Sequence, residues 1–261
     1  MARHERLSTL LDLLGQREKL DVEDVAEELD VSAATIRRDL DHLAEQQLLT
    51  RTRGGAVAND FAYDLPLRYK TARNAPEKQR ISAAAAALIE RGMAVGLNGG
   101  TTTTGVARAL AMRTDLASRN EEPGLTVVTN ALNIANELTV RPNVKIVVTG
   151  GVARPQSFEL SGPLATRVLG ELTMDVLVLG VDAIDATLGA SAHHEGEASI
   201  NRLMADRAQR VIAVADSSKL GRRAFAQICP IDRVETLVTD TDADPAAVQA
   251  FEAAGVTVLT V

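Results

Sequence analysis

Residues 96–107, GLNGGTTTTGVA, combine four glycines with four consecutive threonines and contain no titratable side chain. Proton transfer within this segment is therefore excluded, whereas its backbone N–H groups and hydroxyls can bind an anion. The apolar run MAVGL leads into it, which predicts a strand, a glycine turn and a helix that begins in the threonines. Such a helix start presents unpaired N–H groups and a favourable dipole to a phosphate. The segment is neither a Walker A loop nor a GxGxxG fingerprint, so a tight turn without a ligand is the alternative interpretation.

Further segments end apolar runs with small polar residues: VVTN (127–130), VTGG (148–151), LGVDAID (179–185) and VADSSK (214–219). If the runs are parallel strands, the loops at their carboxyl ends meet at one edge of the sheet. Neutral donors and acceptors there suit sugar hydroxyls, and Lys219 suits a phosphate, although an exposed loop lysine is the alternative. The residues predicted to bind this effector are Asn98, Gly99, Gly100, Thr101, Thr102, Thr103, Thr129, Asn130, Gly150, Gly151, Asp182, Glu195 and Lys219.

Two adjacent histidines raise the question of a metal site. His193 and His194 stand close to Glu195 and Glu197. Adjacent residues rarely converge on one ion, so we expect a polar, ligand-facing loop in which Glu195 or Glu197 accepts a hydrogen bond from a sugar. No metal, cofactor or catalytic residue is predicted.

Seven apolar runs alternate with helical stretches over residues 78–261. Near-continuous apolar runs are typical of strands that are covered on both faces. Their alternation with helices predicts an α/β fold with a mostly parallel sheet. The runs are MAVGL, LTVVTN, VKIVVTGG, DVLVLGVD, RVIAVAD, ETLVTD and VTVLTV.

Three short amphipathic helices are predicted near the N-terminus. Ser32 is well placed as the N-cap of the third, and LDVSAAT forms the tight turn of a helix-turn-helix. The alternative to a DNA-binding helix-turn-helix is a small solvated helical domain whose arginines are incidental. The apolar stripes are Leu7, Leu10, Leu11 and Leu14; Val22, Val25, Ala26 and Leu29; and Ile36, Leu40 and Leu43.

The segment LLTRTRGGAV that follows reads as a hairpin with its turn at Gly54-Gly55. Arg51 and Arg53 are two residues apart, so on a strand they share one face, where they can grip DNA phosphates as a wing. The predicted DNA-binding residues are Ser32, Thr35, Arg37, Arg38, Arg51 and Arg53.

Charge in residues 1–57 is segregated by element. The region contains eight Lys/Arg and twelve Asp/Glu, and six of the acids lie between Asp21 and Asp30. The whole chain has a net charge of −7, which gives no general attraction to nucleic acid. DNA binding must therefore come from a local patch.

The chain length, the apolar runs and the cysteine count exclude several classes of protein. The 261 residues suit one or two domains, and no apolar run approaches the roughly 20 residues of a membrane span. Asp12 interrupts LSTLLDLL, which is no convincing secretory leader. The single cysteine, Cys229, excludes an internal disulfide and is expected to be a buried thiol. We expect a cytoplasmic protein without a membrane partner.

The motifs VSAATIRRDL, HLAEQQLL and RTRGGAV resemble the DNA-binding domain of the DeoR family of bacterial regulators. EKQRI and the loop ends resemble that family's sensor domain. The resemblance implies a winged helix-turn-helix domain at 1–57, a linker at 58–76 and a sugar-phosphate-sensing effector domain at 77–261. The last would be an α/β domain related to ribose-5-phosphate isomerase.

The same resemblance implies a repressor of a sugar or amino-sugar operon, with double-stranded operator DNA and a phosphorylated sugar as partners. Helix-turn-helix proteins usually bind DNA as dimers, so we expect a homodimer or homotetramer. The stretch GVDAIDATLGASAHHEGEASINRLM looks similar to the branch that controls N-acetylgalactosamine and amino-sugar use. Gln47 replaces a usual family glycine, and Asn98 a frequent aspartate. The linker aromatics Phe61, Tyr63 and Tyr69 predict that it packs onto a neighbouring domain.

A sugar-phosphate isomerase fused to a DNA-binding domain is the rival hypothesis. Aldose–ketose isomerisation needs a base that moves a proton between adjacent carbons. The related isomerases carry a glutamate for this in a Gly-Ala-Asp-Glu run. The comparable run here is GVDA, which has Ala183 in that position, although Asp182 or Asp185 offers another base. A DNA-binding scaffold whose second domain only oligomerises is a third hypothesis.

Overall fold

The chain divides into two compact units, Met1–Arg73 and Asn74–Val261, and the division falls within the predicted linker. Within that linker, Tyr69 is 4% exposed and packs in the core of the first unit. Packing of the linker is thus confirmed for Tyr69, while Phe61 and Tyr63 lie outside the described residues. The computed structural model describes residues 3–17, 19–46, 48–58, 66–71, 74–118 and 122–261.

The N-terminal unit packs helices against a three-stranded antiparallel sheet. Its elements are α1 (Arg3–Arg17), β1 (Lys19–Asp21), α2 (Val22–Glu28), α3 (Ala33–Glu45), β2 (Leu49–Thr52), β3 (Gly55–Ala58) and α4 (Leu67–Lys70). The sheet order is β1-β3-β2. The predicted apolar stripes meet in one core, in which all the predicted positions except the half-buried Leu29 are buried. The helix-turn-helix of α2 and α3 is therefore confirmed.

The hairpin between β2 and β3 differs from the prediction in two details. Its turn is Arg53-Gly54, with Gly54 at φ +94°, and Gly55 already pairs with Thr52 in the ladder. A side chain on Gly55 would meet the Leu20 carbonyl oxygen at 1.9 Å, so glycine here permits β1 to pair with β3. The prediction that Arg51 and Arg53 share a strand face is wrong, because β2 ends before Arg53.

The second unit is built on a seven-stranded sheet in which all pairs are parallel. Each of the seven predicted apolar runs supplies one strand of it. These strands are β4 (Ala94–Leu97), β5 (Leu125–Thr129), β6 (Val144–Val148), β9 (Met174–Gly180), β12 (Ala208–Val214), β14 (Thr236–Thr239) and β15 (Thr257–Thr260). The helices are α5 (Ala75–Ala87), α6 (Thr101–Met112), α7 (Leu132–Thr139), α8 (Pro163–Gly170), α9 (Glu195–Arg207) and α10 (Pro245–Ala253).

The strand order, β15-β14-β12-β9-β4-β5-β6, reverses direction between β4 and β9. Alternate residues of one strand enter different cores: Leu177 and Leu179 pack in one apolar cluster, and Val176 and Val178 in the other. Both faces are thus covered, as the continuous apolar runs predict. In open α/β sheets, ligands bind outside the carboxyl ends of the strands at such a reversal.

Short hairpins that the sequence analysis did not predict lie beside this sheet. β7 (Val152–Ala153) pairs with β8 (Leu160–Ser161). A second small sheet has the order β10-β11-β13, from β10 (Ala183–Asp185), β11 (Gly189–Ala192) and β13 (Ala226–Cys229). Strands of two to four residues have no periodicity to detect, which is why they were missed.

Candidate DNA interface and effector site

The start of α3 is fixed by its own side chains. Ser32 Oγ accepts the Thr35 N–H at 3.2 Å and lies 2.9 Å from the Thr35 hydroxyl. The predicted N-cap is confirmed. Both hydroxyls are therefore engaged at the helix start, where they hold it in position for the arginines that follow.

The predicted arginines fall into two groups. Arg37 pairs with Glu23 at 2.7 Å, and Arg51 pairs with Asp41 at 2.7 Å and donates to the Gly55 carbonyl. Arg38, on α3, and Arg53, in the wing turn, are exposed and have no acidic partner among the described residues. One acid of α2, Glu23, thus forms an ion pair with one arginine of the recognition helix.

A buried ion pair in this unit was not predicted. Asp39 is 2% exposed, accepts from Arg6 Nε at 2.6 Å and lies 3.4 Å from Arg3 Nε. Its place three residues after Ile36 puts it on the buried stripe of α3, and this spacing was the available signal. Arg6 and Arg3 on α1 are thereby tied to the recognition helix. Gln47, the predicted departure at the helix end, lies outside the described residues.

The opening segment forms the predicted strand, turn and helix. Gly100 adopts φ +145° directly before α6, a conformation that favours glycine. Within the described residues, the backbone N–H groups from Gly99 to Thr103 have no protein acceptor. We call residues 99–103 the phosphate loop, because consecutive free N–H groups at a helix start form an anion-binding arrangement.

Two of the predicted polar residues join strand ends. Asn98 is 1% exposed, donates to the Gly180 carbonyl at 2.9 Å and accepts the Gly180 N–H at 2.7 Å, which bridges β4 and β9 where the strand order reverses. The Thr129 hydroxyl donates to Leu97 O at 2.6 Å and accepts from Ala131 N–H. Both side chains therefore position the edge, and effector contacts from them stay a prediction.

Threonine hydroxyls are also used within the protein. Those of Thr103 and Thr104 donate to the Gly100 carbonyl, at 3.2 and 2.6 Å. Thr102 is buried, and its hydroxyl has no partner among the described residues. Within the phosphate loop, the Thr103 hydroxyl is thus engaged with the protein, whereas the backbone N–H groups are not.

A buried polar cluster lies beside the phosphate loop, and its centre was not predicted. Glu159, 3% exposed, accepts from Asn130 Nδ2 at 3.1 Å and from Asn201 Nδ2 at 3.3 Å. A Cβ on Gly99 would lie 2.4 Å from Glu159 Cγ, so the missing side chain leaves room for the carboxyl. Burial, and then the negative charge of Glu197, raise the pKa of Glu159 to about 8.

Glu197 joins this cluster, while Glu195 does not. Glu197 is 9% exposed and accepts from Arg154 Nη1 at 3.0 Å and Ser157 Oγ at 2.5 Å. Glu195 is exposed in the first turn of α9, so its predicted contact with an effector stays a prediction. His194 Nδ1 accepts the Glu197 N–H and caps α9. Among the described residues no group of His, Cys, Asp and Glu has the arrangement of a metal site.

On the other side of the strand reversal, Asp182 accepts the His193 N–H at 3.0 Å. Lys219 Nζ donates to the Val181 carbonyl at 2.6 Å. Burial opposes ionisation of Asp216, but Lys219 and its hydrogen bonds outweigh this and lower its pKa. Lys219 is thus at the same edge as Asp182, as predicted.

The two glycines after β6 have left-handed conformations, φ +69° at Gly150 and +120° at Gly151. Gly150 is exposed, and a Cβ on Gly151 would meet Ser161 O at 2.5 Å. They therefore shape the turn into the β7–β8 hairpin. Asp185, the alternative base, accepts N–H groups from Thr187 and Leu188 in a turn.

Glu159 and its partners were missed for a physical reason. A lone glutamate in SFELSGP is indistinguishable from an exposed loop residue, and its burial depends on the unpredicted β7–β8 hairpin. Glu197 and Asn201 are four residues apart on α9, which was the one detectable sign of a shared polar face.

A winged helix-turn-helix unit joined to a parallel α/β unit, with free backbone N–H groups at the carboxyl edge of its sheet, is the architecture of a ligand-responsive DNA-binding regulator. The DeoR C terminal sensor domain model matches residues 73–241, and the DeoR-like helix-turn-helix domain model matches residues 6–61. The chain belongs to the DeoR family of transcriptional regulators, a family of regulators rather than enzymes.

Relatives of similar length support this assignment. The chain is 35% identical over 260 residues to a candidate aga operon transcriptional repressor of Escherichia coli O157:H7, covering 98% of this chain and 93% of that protein. It is 30% identical over 240 residues to the glycerol-3-phosphate regulon repressor of Escherichia coli K12, covering 92% of each. It is 33% identical over 243 residues to the transcriptional repressor GlcR of Bacillus subtilis, covering 92% and 89%.

Solved structures give weaker likenesses. Ribose 5-phosphate isomerase A of Methanocaldococcus jannaschii has 20% identity and a TM-score of 0.40 over 56% of this chain and 54% of that one. The sorbitol operon regulator SorC of Klebsiella pneumoniae has 13% identity and a TM-score of 0.39 over 96% and 99%. No helix within the described residues is long and apolar enough to cross a membrane.

Proposed function

We propose that this chain represses a sugar or amino-sugar catabolic operon and releases its operator when a phosphorylated sugar binds the second unit. The names of its relatives support this, since they include repressors of an aga operon and of a glycerol-3-phosphate regulon. In this proposal it acts in the cytoplasm as a homodimer or homotetramer on double-stranded DNA.

One observation carries the effector half of the proposal. The N–H groups from Gly99 to Thr103 are free of protein acceptors within the described residues, and they follow β4 at the reversal of strand order. Charge-assisted hydrogen bonds contribute about 1.5–3 kcal/mol each, so several can hold a phosphate without a lysine in the loop. Lys219, at the same edge, supplies the cation.

The sugar would contact the polar groups beside the phosphate loop. Asn130 and Asp182 follow β5 and β9, and offer amide and carboxylate groups to hydroxyls or to an amine. Asn98, Thr129, Gly150 and Gly151 hold the loops that carry these contacts. An amino-sugar phosphate is the first ligand to test.

On the DNA side, α3 enters the major groove with Arg37 and Arg38, and Arg53 grips phosphate from the wing. Thr35 lies at the start of the helix, beside the base edges, and Ser32 fixes that start. Arg51 leaves its ion pair with Asp41 and contacts a phosphate of the DNA backbone instead. Moving operator occupancy from 99:1 to 1:99 needs about 5.5 kcal/mol of differential effector affinity.

The test is a titration of operator binding against a panel of sugar phosphates and their unphosphorylated parents. The DNA is a duplex that the full-length protein selects from a random library, and binding is followed by fluorescence anisotropy. We expect one sugar phosphate to weaken the complex at least tenfold and its unphosphorylated parent to have no effect. If the parent sugar alone weakened the complex, this would contradict the proposal that the phosphate loop binds the phosphate of the effector.

Two variants separate the units. Lys219→Ala, and Gly99→Leu in the phosphate loop, should keep operator affinity within about twofold and weaken the effector response at least tenfold. Lys145→Ala changes a lysine of β6 outside the proposed contacts and serves as the matched control. If both site variants respond normally to the effector, the effector site lies elsewhere in the protein.

A further inference from the structure

Glu159 has one anchored and one unanchored carboxyl oxygen. Oε2 accepts from the amides of Asn130 and Asn201. Oε1 makes no hydrogen bond within the described residues, and an ideal Cβ on Gly99 would lie 2.6 Å from it. The unanchored oxygen therefore lies against the backbone of the phosphate loop.

Burial and the acidic neighbours of Glu159 favour its neutral form and outweigh the hydrogen bonds from Asn130 and Asn201, which favour the carboxylate. Glu197 on α9 and Asp182 after β9 are acidic, and together with burial they oppose its ionisation. Arg154, on the same hairpin, pairs with Glu197 at 3.0 Å. The loops after β4 and β5 face it with neutral groups. His193 and His194 are engaged with Asp182 and with the start of α9, by the His193 N–H and by His194 Nδ1.

The anchoring decides which oxygen carries the proton. Because Oε2 accepts two N–H groups, a proton on the neutral acid resides on Oε1. A carboxylic acid O–H is a hydrogen-bond donor, and a site that keeps such an acid neutral can use it to bind an oxyanion. An ionised carboxylate in the same position would repel one.

A second buried atom nearby also lacks a partner. Asn130 is fully buried, and its Oδ1 accepts no hydrogen bond from the described residues. Buried polar atoms are normally paired, so a ligand donor fits this position. Oε1 of Glu159 and Oδ1 of Asn130 thus offer a donor and an acceptor on two residues that are hydrogen-bonded to each other.

We propose that Glu159 is a further ligand-binding residue of the sensor site, which binds the effector as a neutral acid and donates a hydrogen bond from its O–H to a ligand oxyanion. The inference rests on the proposed sugar-phosphate function. It adds that effector binding is lost when Glu159 ionises, so that alkaline pH returns the protein to its operator.

The test measures effector affinity between pH 7.0 and 9.5 by calorimetry on the full chain. The probe is the tightest sugar phosphate of the panel that has no free amine, or inorganic phosphate if none binds more tightly. A phosphate monoester has its second pKa near 6, so the charge of the sugar phosphate is nearly constant over this range. Wild type should hold its affinity to about pH 8 and then weaken by up to about tenfold per pH unit.

Three variants and one control substitution sharpen the result. Glu159→Gln keeps a neutral donor, so its affinity should not fall above pH 8 and should exceed that of wild type at pH 9.5. Glu159→Asp, with a shorter side chain, and Gly99→Ala, which displaces the carboxyl, should both weaken binding at pH 7 at least tenfold. Glu171→Gln, at the exposed end of α8, should keep the wild-type profile. A single cooperative melting transition at pH 7, together with operator binding, establishes that each variant is folded.

The outcomes separate the two proposals. If wild type binds neither sugar phosphates nor inorganic phosphate, the proposed function fails and this inference fails with it. If wild type binds a sugar phosphate but its affinity is constant or increases above pH 8, the effector does not bind the neutral acid and only this inference is overturned. A Glu159→Gln variant with the wild-type alkaline loss would also overturn it.

Discussion

The two units use polar side chains in opposite ways. In the N-terminal unit, Arg38 and Arg53 are exposed, and Arg37 pairs with Glu23 at the surface. In the second unit, Asn98 and Asn130 are buried where strands end, and they bond to other protein groups.

The difference matches the ligands proposed for the two units. DNA offers a long array of phosphates, and mobile solvated cations meet it through an interaction that salt weakens. A small ligand needs a few polar groups that are already oriented, which requires burial and mutual hydrogen bonds. Substitutions should therefore affect salt-dependent affinity in the first unit and ligand specificity in the second.

Asp39 is a buried charged side chain in the N-terminal unit, and its substitution should have the largest effect. Asp39→Ala leaves Arg6, which is 11% exposed, without its buried partner. We expect a loss of about 3 kcal/mol in the unfolding free energy of this unit, measured by urea denaturation. Asp41→Ala, which breaks the exposed pair with Arg51, is the control and should cost less than about 1 kcal/mol. Equal effects of the two substitutions would contradict the buried pair.

Arg38→Ala should have the next largest effect, on operator affinity. Loss of a groove contact costs about 1–3 kcal/mol, and effector binding should stay unchanged. Arg17→Ala, which removes an exposed arginine paired with Glu28 on α2, is the matched control. If Arg37→Ala and Arg38→Ala both leave operator affinity unchanged, α3 is not the recognition helix.

Much of this contrast was predictable from local patterns. The leucine stripes follow from helical periodicity, the seven parallel strands from continuous apolar runs, and the Ser32 cap from its residue type and position. The structure confirms all three. The phosphate loop was visible because glycines and threonines cluster in one segment.

The missed features depend on contacts between distant segments. Glu159 meets Asn130 and Asn201 from 29 and 42 residues away, and a loop glutamate has no local sign of burial. Asp39 meets Arg6 across 33 residues. The prediction that Arg53 shares a strand face with Arg51 was wrong for another reason. A two-residue turn ends the strand one residue earlier than the alternating pattern implies.

Glu159→Gln should have a smaller, pH-dependent effect on stability. The pKa of Glu159 is raised from 4.5 to about 8, so folding takes up a proton and wild-type stability falls as pH rises between these values. Glutamine has no such penalty. We expect the melting temperature of this variant to be close to that of wild type at pH 4.5 and to exceed it by a margin that grows as the pH rises to 8. A constant difference across this range would contradict a raised pKa.

Glu23→Gln should have the smallest effect. It frees Arg37 from an exposed pair and removes one negative charge beside the recognition helix. Operator affinity should rise about two- to fivefold at low salt, with a smaller gain at high salt, since exposed pairs contribute below about 1 kcal/mol. Glu28→Gln, on the same helix but paired with Arg17, is the control. Equal gains from both variants would indicate general charge rather than release of Arg37.

Reciprocal coupling between the two ligands tests the central claim most directly. Effector affinity is measured by calorimetry with and without saturating operator duplex, and operator affinity with and without saturating effector. The account predicts that each ligand weakens the other by the same factor, at least tenfold, because linkage is reciprocal. Effector affinity that is unchanged by saturating operator DNA would contradict it.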